Sequence, residues 1–252
     1  MIRTRHKSYD AEPFTHGKLK GQYRTYYRSE SKLRDFLENP YQDSRKLDYD
    51  RQLKDDLKDD QTTTVVVRNL IEKCPVVIKQ YNTKNSWHAF RRTIRQSRAE
   101  NCWISAEKLQ NLGITIAPPV AFIQEYLGAG LKGRSWYLSE FVDSLSRLDH
   151  LPTINNETKR QCVMQKIVEM MAILRDHHIS HGDMKATNLL LTREDRVVLL
   201  DLDAVKEHST VKRACAGTNK DVVRFLKNWR DQPALLELAR EKLEQAGFSL
   251  PN

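Results

Sequence analysis

His181-Gly182-Asp183-Met184-Lys185-Ala186-Thr187-Asn188, followed by Val197-Val198-Leu199-Leu200-Asp201-Leu202-Asp203, decides how this chain is read. Leu189–Thr192 and Arg196–Asp201 are apolar enough for two buried strands, and Arg193-Glu194-Asp195 supplies a polar turn between them. The stretch therefore predicts a polar loop that feeds a tight hairpin. Its polar residues divide a piece of chemistry among themselves. Asp183 can accept a proton from an attacking hydroxyl. Asn188 and Asp201 offer the hard oxygens that Mg²⁺ prefers, with room for waters. Lys185, two residues after the base, can steady a transferring phosphoryl group. Each residue alone is commonplace. The ordered set, with Asp201 thirteen positions after Asn188, is specific.

The order Asp-x-Lys-x-x-Asn, then an Asp ending an apolar strand, resembles the catalytic loop of the eukaryotic-type kinase fold. Upstream, Leu57–Val67 reads as strand, tight turn, strand, and Pro75–Tyr81 as a third strand entered by proline where ladder bonding has not begun. Lys79 ends a β-branched run, where burying an ammonium requires a paired anion. On a kinase template it grips the nucleotide α- and β-phosphates. No glycine-rich phosphate loop precedes it. Asp59-Asp60-Gln61-Thr62 stands in its place, so the turn carrying Asp59 and Thr62 is expected to meet phosphate through backbone amides.

Asn85–Leu112 predicts one or two helices. Trp87, Phe90 and Ile94 share a face, and residues 84–98 carry five cations and no acid. That segment suits either an amphipathic helix docked on its own domain or a surface for anionic lipid or a phosphorylated glycan. A second helical segment with Trp103, Ala106, Leu109 and Leu112 stops at Gly113. The glutamate needed to pair Lys79 is Glu100 or Glu107, and Glu100 is preferred. Val120–Tyr126 and Ser135–Val142 read as a hairpin around Gly128–Gly133. Glu140-Phe141-Val142 then presents backbone groups to adenine, with Glu140 and Val142 as the contacting positions. Asn155–His177 predicts a long core helix, Val205–Asn219 a basic irregular segment, and Asp221–Trp229 and Gln232–Ala246 two closing helices. Asp203 is either a second metal ligand or, preferably, a cap.

Residues 1–54 are polar and tyrosine-rich, and only Ser31–Glu38 predicts a helix, with Ser31 as its cap and Leu33, Phe36 and Leu37 on one face. They are expected to form a variable N-terminal extension without chemistry, ahead of a nucleotide-binding lobe at 55–142 and a catalytic lobe at 143–252. Four cysteines without close pairing or zinc spacing suit reduced thiols. No apolar run reaches a membrane span and no signal core opens the chain, so a cytoplasmic protein is expected. The formal charge of +9 points to an anionic partner.

Val77-Ile78-Lys79-Gln80-Tyr81-Asn82, Ser97-Arg98-Ala99 with Trp103, Gly113-Ile114 and Pro119-Val120-Ala121 narrow the resemblance further. So do Leu200–Ala204 and Arg224-Phe225-Leu226-Lys227-Asn228-Trp229. Together they resemble the lipopolysaccharide core kinases, which phosphorylate Kdo or heptose. The likeness runs over roughly residues 55–232. It implies an α+β, two-lobed protein-kinase-like fold, with a small antiparallel β lobe and a mainly helical one. It also implies ATP and Mg²⁺ as cofactors, Asp183 as base, Asn188 and Asp201 as metal ligands, and Lys79 on the phosphates. The implied substrate is the lipopolysaccharide core or its lipid-linked precursor, met at the cytoplasmic face of the inner membrane, with no nucleic acid. A protein Ser/Thr kinase and a catalytically weak kinase-like module binding membrane or nucleic acid remain the alternatives. Oligomeric state is not legible.

Overall fold

The β-branched run Thr63–Val67 and the run Val76–Ile78 form adjacent antiparallel strands of a seven-stranded sheet. The computed structural model describes residues 10–41, 59–60, 63–72, 74–82, 96–127 and 131–250. The sheet comprises β1 (Ala11–His16), β2 (Leu19–Arg24), β3 (Asp59–Asp60), β4 (Thr63–Ile71), β5 (Cys74–Tyr81), β6 (Pro119–Leu127) and β7 (Leu131–Glu140). Their order is β1-β2-β6-β7-β5-β4-β3. The register sets Lys79 beside Val65 on one neighbour and Tyr137 on the other.

The sheet reaches into the stretch expected to be an extension. β1 and β2 form a hairpin, and β2 pairs with β6 from Leu19↔Glu125 to Tyr23↔Ala121. α1 (Ser31–Glu38) has the predicted bounds and buries Leu33, Phe36 and Leu37. These side chains share a core with Val76, Ile78, Val120, Ile123, Trp136 and Leu138. Ser31 is not the cap, however: Glu30 takes that position and Ser31 is the first helical residue.

α2 (Arg98–Asn111) is closed by Gly113 at φ +76°, a left-handed stop that favours glycine. Its start is a capping box. Ser97 Oγ accepts from Glu100 N at 3.2 Å, and Glu100 Oε2 accepts from Ser97 N at 3.3 Å. Arg98 stacks over the Tyr81 ring at 4.4 Å and donates to Thr63 Oγ1 at 3.1 Å. The rest of the basic segment 84–98 lies outside the described residues up to position 95, as do Thr62 and the tip of the β6–β7 turn.

The chain divides into two compact units, Met1–Glu107 with Ala117–Phe141, and Lys108–Ile116 with Val142–Asn252. The second unit contains α3 (Glu157–Asp176), α4 (Val211–Leu226) and α5 (Pro233–Gln245). It also contains two small pairings. β8 (Ser146–Arg147), β10 (Leu189–Leu191) and β11 (Val197–Leu199) form one, and β9 (Ile179–Ser180) with β12 (Lys206–Glu207) the other. Asn156 caps α3 by accepting from Lys159 N at 2.9 Å, and Val163, Ile167, Met171 and Leu174 are buried along it. Trp229 is buried against Phe225.

Val205–Asn219, expected to be irregular, is helical from Val211 onward. Thr210 caps that helix by accepting from Arg213 N. The misreading has a physical source in Gly217. A glycine inside a helix costs about 1 kcal/mol against alanine and reads as a break. Here it is required, because a Cβ at 217 would meet His208 Nε2 at 2.6 Å and the Ser180 side chain at 2.9 Å.

The place of α1 in the core is testable. Leu33→Ala should lower the unfolding free energy by about 3 kcal/mol, as for any buried leucine that leaves a cavity, measured by urea denaturation. A loss under about 1 kcal/mol would mean that the segment only rests on the sheet.

Candidate active site

The loop 181–188 is fixed before it does any chemistry. Asp221 is buried on α4 and accepts the main-chain N–H of His181 at 2.6 Å on one oxygen and that of Gly182 at 2.8 Å on the other. Burial raises the carboxyl pKa, and the two N–H donors oppose that rise. His181 is wholly buried. Its Nε2 lies 2.8 Å from the Leu200 carbonyl, which can only accept, so Nε2 carries the proton. Nδ1 is then free to accept from Asp183 N at 3.4 Å. Gly182 has φ +85°, and a Cβ there would lie 2.9 Å from Ala204 O, so both the angle and the space demand glycine. Met184 plugs the core, and its carbonyl accepts from Asn228 Nδ2 at 3.2 Å. The loop therefore keeps His181, Met184, Ala186 and Asn188 inside and Asp183 and Lys185 partly open to solvent.

Asp183 is half-buried, with a cation on each oxygen. Lys185 Nζ lies 2.7 Å from Oδ2 and Arg224 Nε 3.2 Å from Oδ1. Asn188 Nδ2 donates to the Asp183 carbonyl at 2.9 Å and to Oδ2 at 3.3 Å. Burial would raise the Asp183 pKa, but Lys185 and then Arg224 outweigh it and hold the carboxyl below its ordinary range. The hairpin returns Asp201 to this loop. Leu189 pairs with Leu199, Leu200 N donates to the Asn188 carbonyl at 2.8 Å, and Asp201 follows at once. Asp201 is left-handed at φ 58°, ψ 63°. Such a conformation in a non-glycine residue costs of order 1 kcal/mol and clusters at functional positions. Asp203 lies within the short 3₁₀ turn that Asp201 opens, one residue past the N-terminus of that turn, and so is not its cap.

The candidate nucleotide residues of the first unit are placed less uniformly. Lys79 is half-buried near the end of β5, with Nζ 6.0 Å from the Tyr81 ring centroid. Glu100 is held by its capping box and by Lys132 Nζ at 3.3 Å, while Glu107 pairs with Arg24 at 3.2 Å. Asp59 lies in β3, paired with Thr64. Glu140 ends β7. Its N–H donates to Pro118 O and that of Phe141 to Pro75 O, both at 2.8 Å, so Val142 is the first residue past the ladder. The Glu140 carboxylate also accepts from the buried Tyr27 hydroxyl.

Three residues of the site escaped the sequence reading. Asp221 carries a signal, an acid flanked by Val222 and Phe225 on a buried helix face, but the same position also suits a helix start. Arg224 has no local signal beyond the motif that contains it. Tyr27 is one tyrosine among nine, and nothing local sets it apart.

Two measurements follow from this geometry. Asp221→Asn replaces one of two acceptors with a donor facing a main-chain N–H. It should cost about 2 kcal/mol in urea unfolding and lower turnover with it. A neutral result would mean that the loop is held elsewhere. For Asp183, the folded-state pKa is below the unfolded one. Its stabilising contribution is therefore complete above the unfolded value, near 3.9, and is lost as pH falls through the folded value. Removing a cation raises the pKa. Arg224→Ala should accordingly move the acidic limb of the kcat/KM profile to higher pH, whereas a simple packing role would lower the whole profile without moving it.

The chain matches no curated protein. Among solved structures it is similar to WaaP in complex with acyl carrier protein. The TM-score is 0.50 and the identity 13%, over 76% of this chain and 88% of that one, a likeness that speaks for the fold alone. An α+β, kinase-like fold agrees with it. The model of the Lipopolysaccharide kinase (Kdo/WaaP) family matches residues 51–241, about three-quarters of the chain. With that coverage, and with the loop and hairpin above, the chain belongs to the Lipopolysaccharide kinase (Kdo/WaaP) family and is a phosphotransferase acting on sugar hydroxyls.

Proposed function

We propose that this protein transfers the γ-phosphate of ATP to a hydroxyl of Kdo or heptose in the inner core of lipopolysaccharide, or in its lipid-linked precursor, with Asp183 as the base. The observation that carries the reading is the Asp183 carboxylate, held ionised by Lys185 and Arg224 and tied to Asn188. The acceptor oxygen bonds to the γ-phosphorus as the bond to the β,γ-bridging oxygen breaks. ADP leaves with that electron pair, and the hydroxyl proton passes to Asp183. Lys185 is close enough to the base to trade its carboxylate for a transferring phosphoryl oxygen. Catalysis in such a site is mostly positioning and charge stabilisation.

Asn188 and Asp201 are the pair we assign to Mg²⁺. The Asn188 amide nitrogen is spent on Asp183, which leaves its carbonyl oxygen as a hard ligand beside a carboxylate. Among the described residues no three His, Cys, Asp or Glu side chains cluster for a metal. Mg²⁺ suits a sparse site of this kind, since it keeps waters and takes substrate phosphates as ligands. When bound, it would neutralise charge on those phosphates. For the nucleotide we assign Lys79 to the phosphates, main-chain groups around Glu140 and Val142 to adenine, and the turn from Asp59 to Thr62 to the phosphate side. We pair Lys79 with Glu100, whose Oε2 meets Lys132 and Ser97 N.

We also assign the protein to the cytoplasmic face of the inner membrane, as a peripheral protein drawn by its charge of +9. Among the described residues, no helix is long and apolar enough to cross a membrane. The reading is tested by transfer of labelled γ-phosphate from ATP, with Mg²⁺, to deacylated core oligosaccharide and to a generic protein acceptor. Label should appear on the sugar, and Asp183→Asn should reduce turnover by ~10²–10⁴. Label on the protein acceptor alone would select a Ser/Thr kinase. Undiminished activity in the variant would remove Asp183 from the role of base.

A further inference from the structure

The outer side of α4 and the residue just past its end carry a row of cations. Lys220, Arg224 and Lys227 recur at spacings of four and three, which places them on one helical face. With Asn219, Val223 and Gly182 they line an open groove of about 390 Å³ beside the loop 181–188. Lys220 and Lys227 are exposed, and among the described residues neither has a carboxylate partner. Such a concentration of positive charge is unfavourable by itself and favours an anion. The acids beside it are already engaged, Asp183 by Lys185 and Arg224 and Asp221 by the main-chain N–H groups of His181 and Gly182.

Arg224 makes the groove more than a basic patch. Its Nε donates to Asp183 Oδ1 at 3.2 Å. The guanidinium has five N–H donors, so the pair of terminal nitrogens remains for a second oxyanion. A planar fork of this kind binds carboxylate or phosphate in a fixed geometry. An anion held there would sit at a set distance from the base. The lysines on either side would add charge without geometry.

We propose that this groove is the acceptor's anion subsite. It takes a carboxylate or phosphate borne by the sugar acceptor, and Arg224 couples that anion to Asp183 so that the neighbouring hydroxyl faces the base. The inference rests on the sugar-kinase reading for the identity of the ligand, but not for the existence of the site. Specificity follows from charge. An acceptor without the anion leaves the two lysines without a counter-charge and its hydroxyl unpositioned.

The test uses the full chain and the double variant Lys220→Ala/Lys227→Ala, whose side chains are exposed and lie outside the catalytic set, with thermal melting to confirm the fold. The acceptors are deacylated core oligosaccharide, its carboxyl-reduced form and its dephosphorylated form. Equilibrium binding and phosphate transfer are both recorded. Two exposed charge contacts together should weaken binding and raise the acceptor KM roughly tenfold, with kcat and the KM for ATP within about twofold. The variant and the unaltered protein should not differ on whichever modified acceptor lacks the recognised anion, which identifies it as carboxylate or phosphate. Unchanged binding and KM for the native oligosaccharide, or an equal loss on all three acceptors, would overturn the subsite. If binding falls in the variant but no sugar is ever phosphorylated, the subsite stands and the kinase reading fails. If the sugar is phosphorylated with an unaltered KM, the reverse holds. If the unaltered protein binds none of the three, both fall.

Discussion

The loop 181–188 depends on one buried carboxylate. Asp221 is taken out of water on α4, and an isolated carboxylate there would be costly. Its two oxygens are satisfied by two consecutive main-chain N–H groups, those of His181 and Gly182. This arrangement fixes the path of the loop with no side chain of the loop involved. It also ties the helix to the loop in both directions. Without the loop the carboxylate lacks donors, and without the carboxylate the buried His181 amide and the Gly182 amide lack an acceptor. His181 extends the anchorage by donating to the Leu200 carbonyl next to Asp201, so the loop and the strand end are bound through a single imidazole.

On this foundation Asp183 can be both accessible and fixed. Its burial is partial, its carboxylate is braced by two cations and an amide, and the residue after it is locked into the core. Perturbed acids with defined charge partners concentrate at functional sites. The same pair of cations that lowers the Asp183 pKa is placed to act on anionic groups arriving from outside. Asp201 completes the pattern, held in a left-handed conformation that a residue free of constraint would avoid.

What the sequence disclosed was mostly short-range. The hairpin at 189–199, the helix at 31–38 and the stop at Gly113 are each encoded within a few residues, by alternation, period or a glycine. Asp221 was not legible as an anchor because its partners lie 39 and 40 positions away, and a single acid on a helix resembles a solvated face. α4 was hidden by Gly217, whose reason is a neighbouring strand and not its own helix. β1 and β2 were hidden by composition. Ala-Glu-Pro-Phe-Thr-His and Leu-Lys-Gly-Gln-Tyr-Arg hold no β-branched residue except Thr15. Pro13 argues against a strand unless the strand is an edge, which β1 is. Glu100 also has a local role that its spacing to Lys79 does not disclose, as the glutamate of a capping box.

The strand order has a consequence for how the first unit forms. β2 ends at residue 24, yet its partner β6 begins at residue 119, and β5 finds β7 only beyond residue 130. A chain emerging from its N-terminus must hold two hairpins with unsatisfied edges until the β6–β7 hairpin arrives to join them. Such nonlocal closure is slow, because the entropy of a long loop is lost before the pairing that offsets it. Open edges in the interval are templates for association. The charged and proline-bearing residues that made β1 and β2 hard to recognise as strands are of the kind that keeps a waiting edge from pairing with the wrong chain.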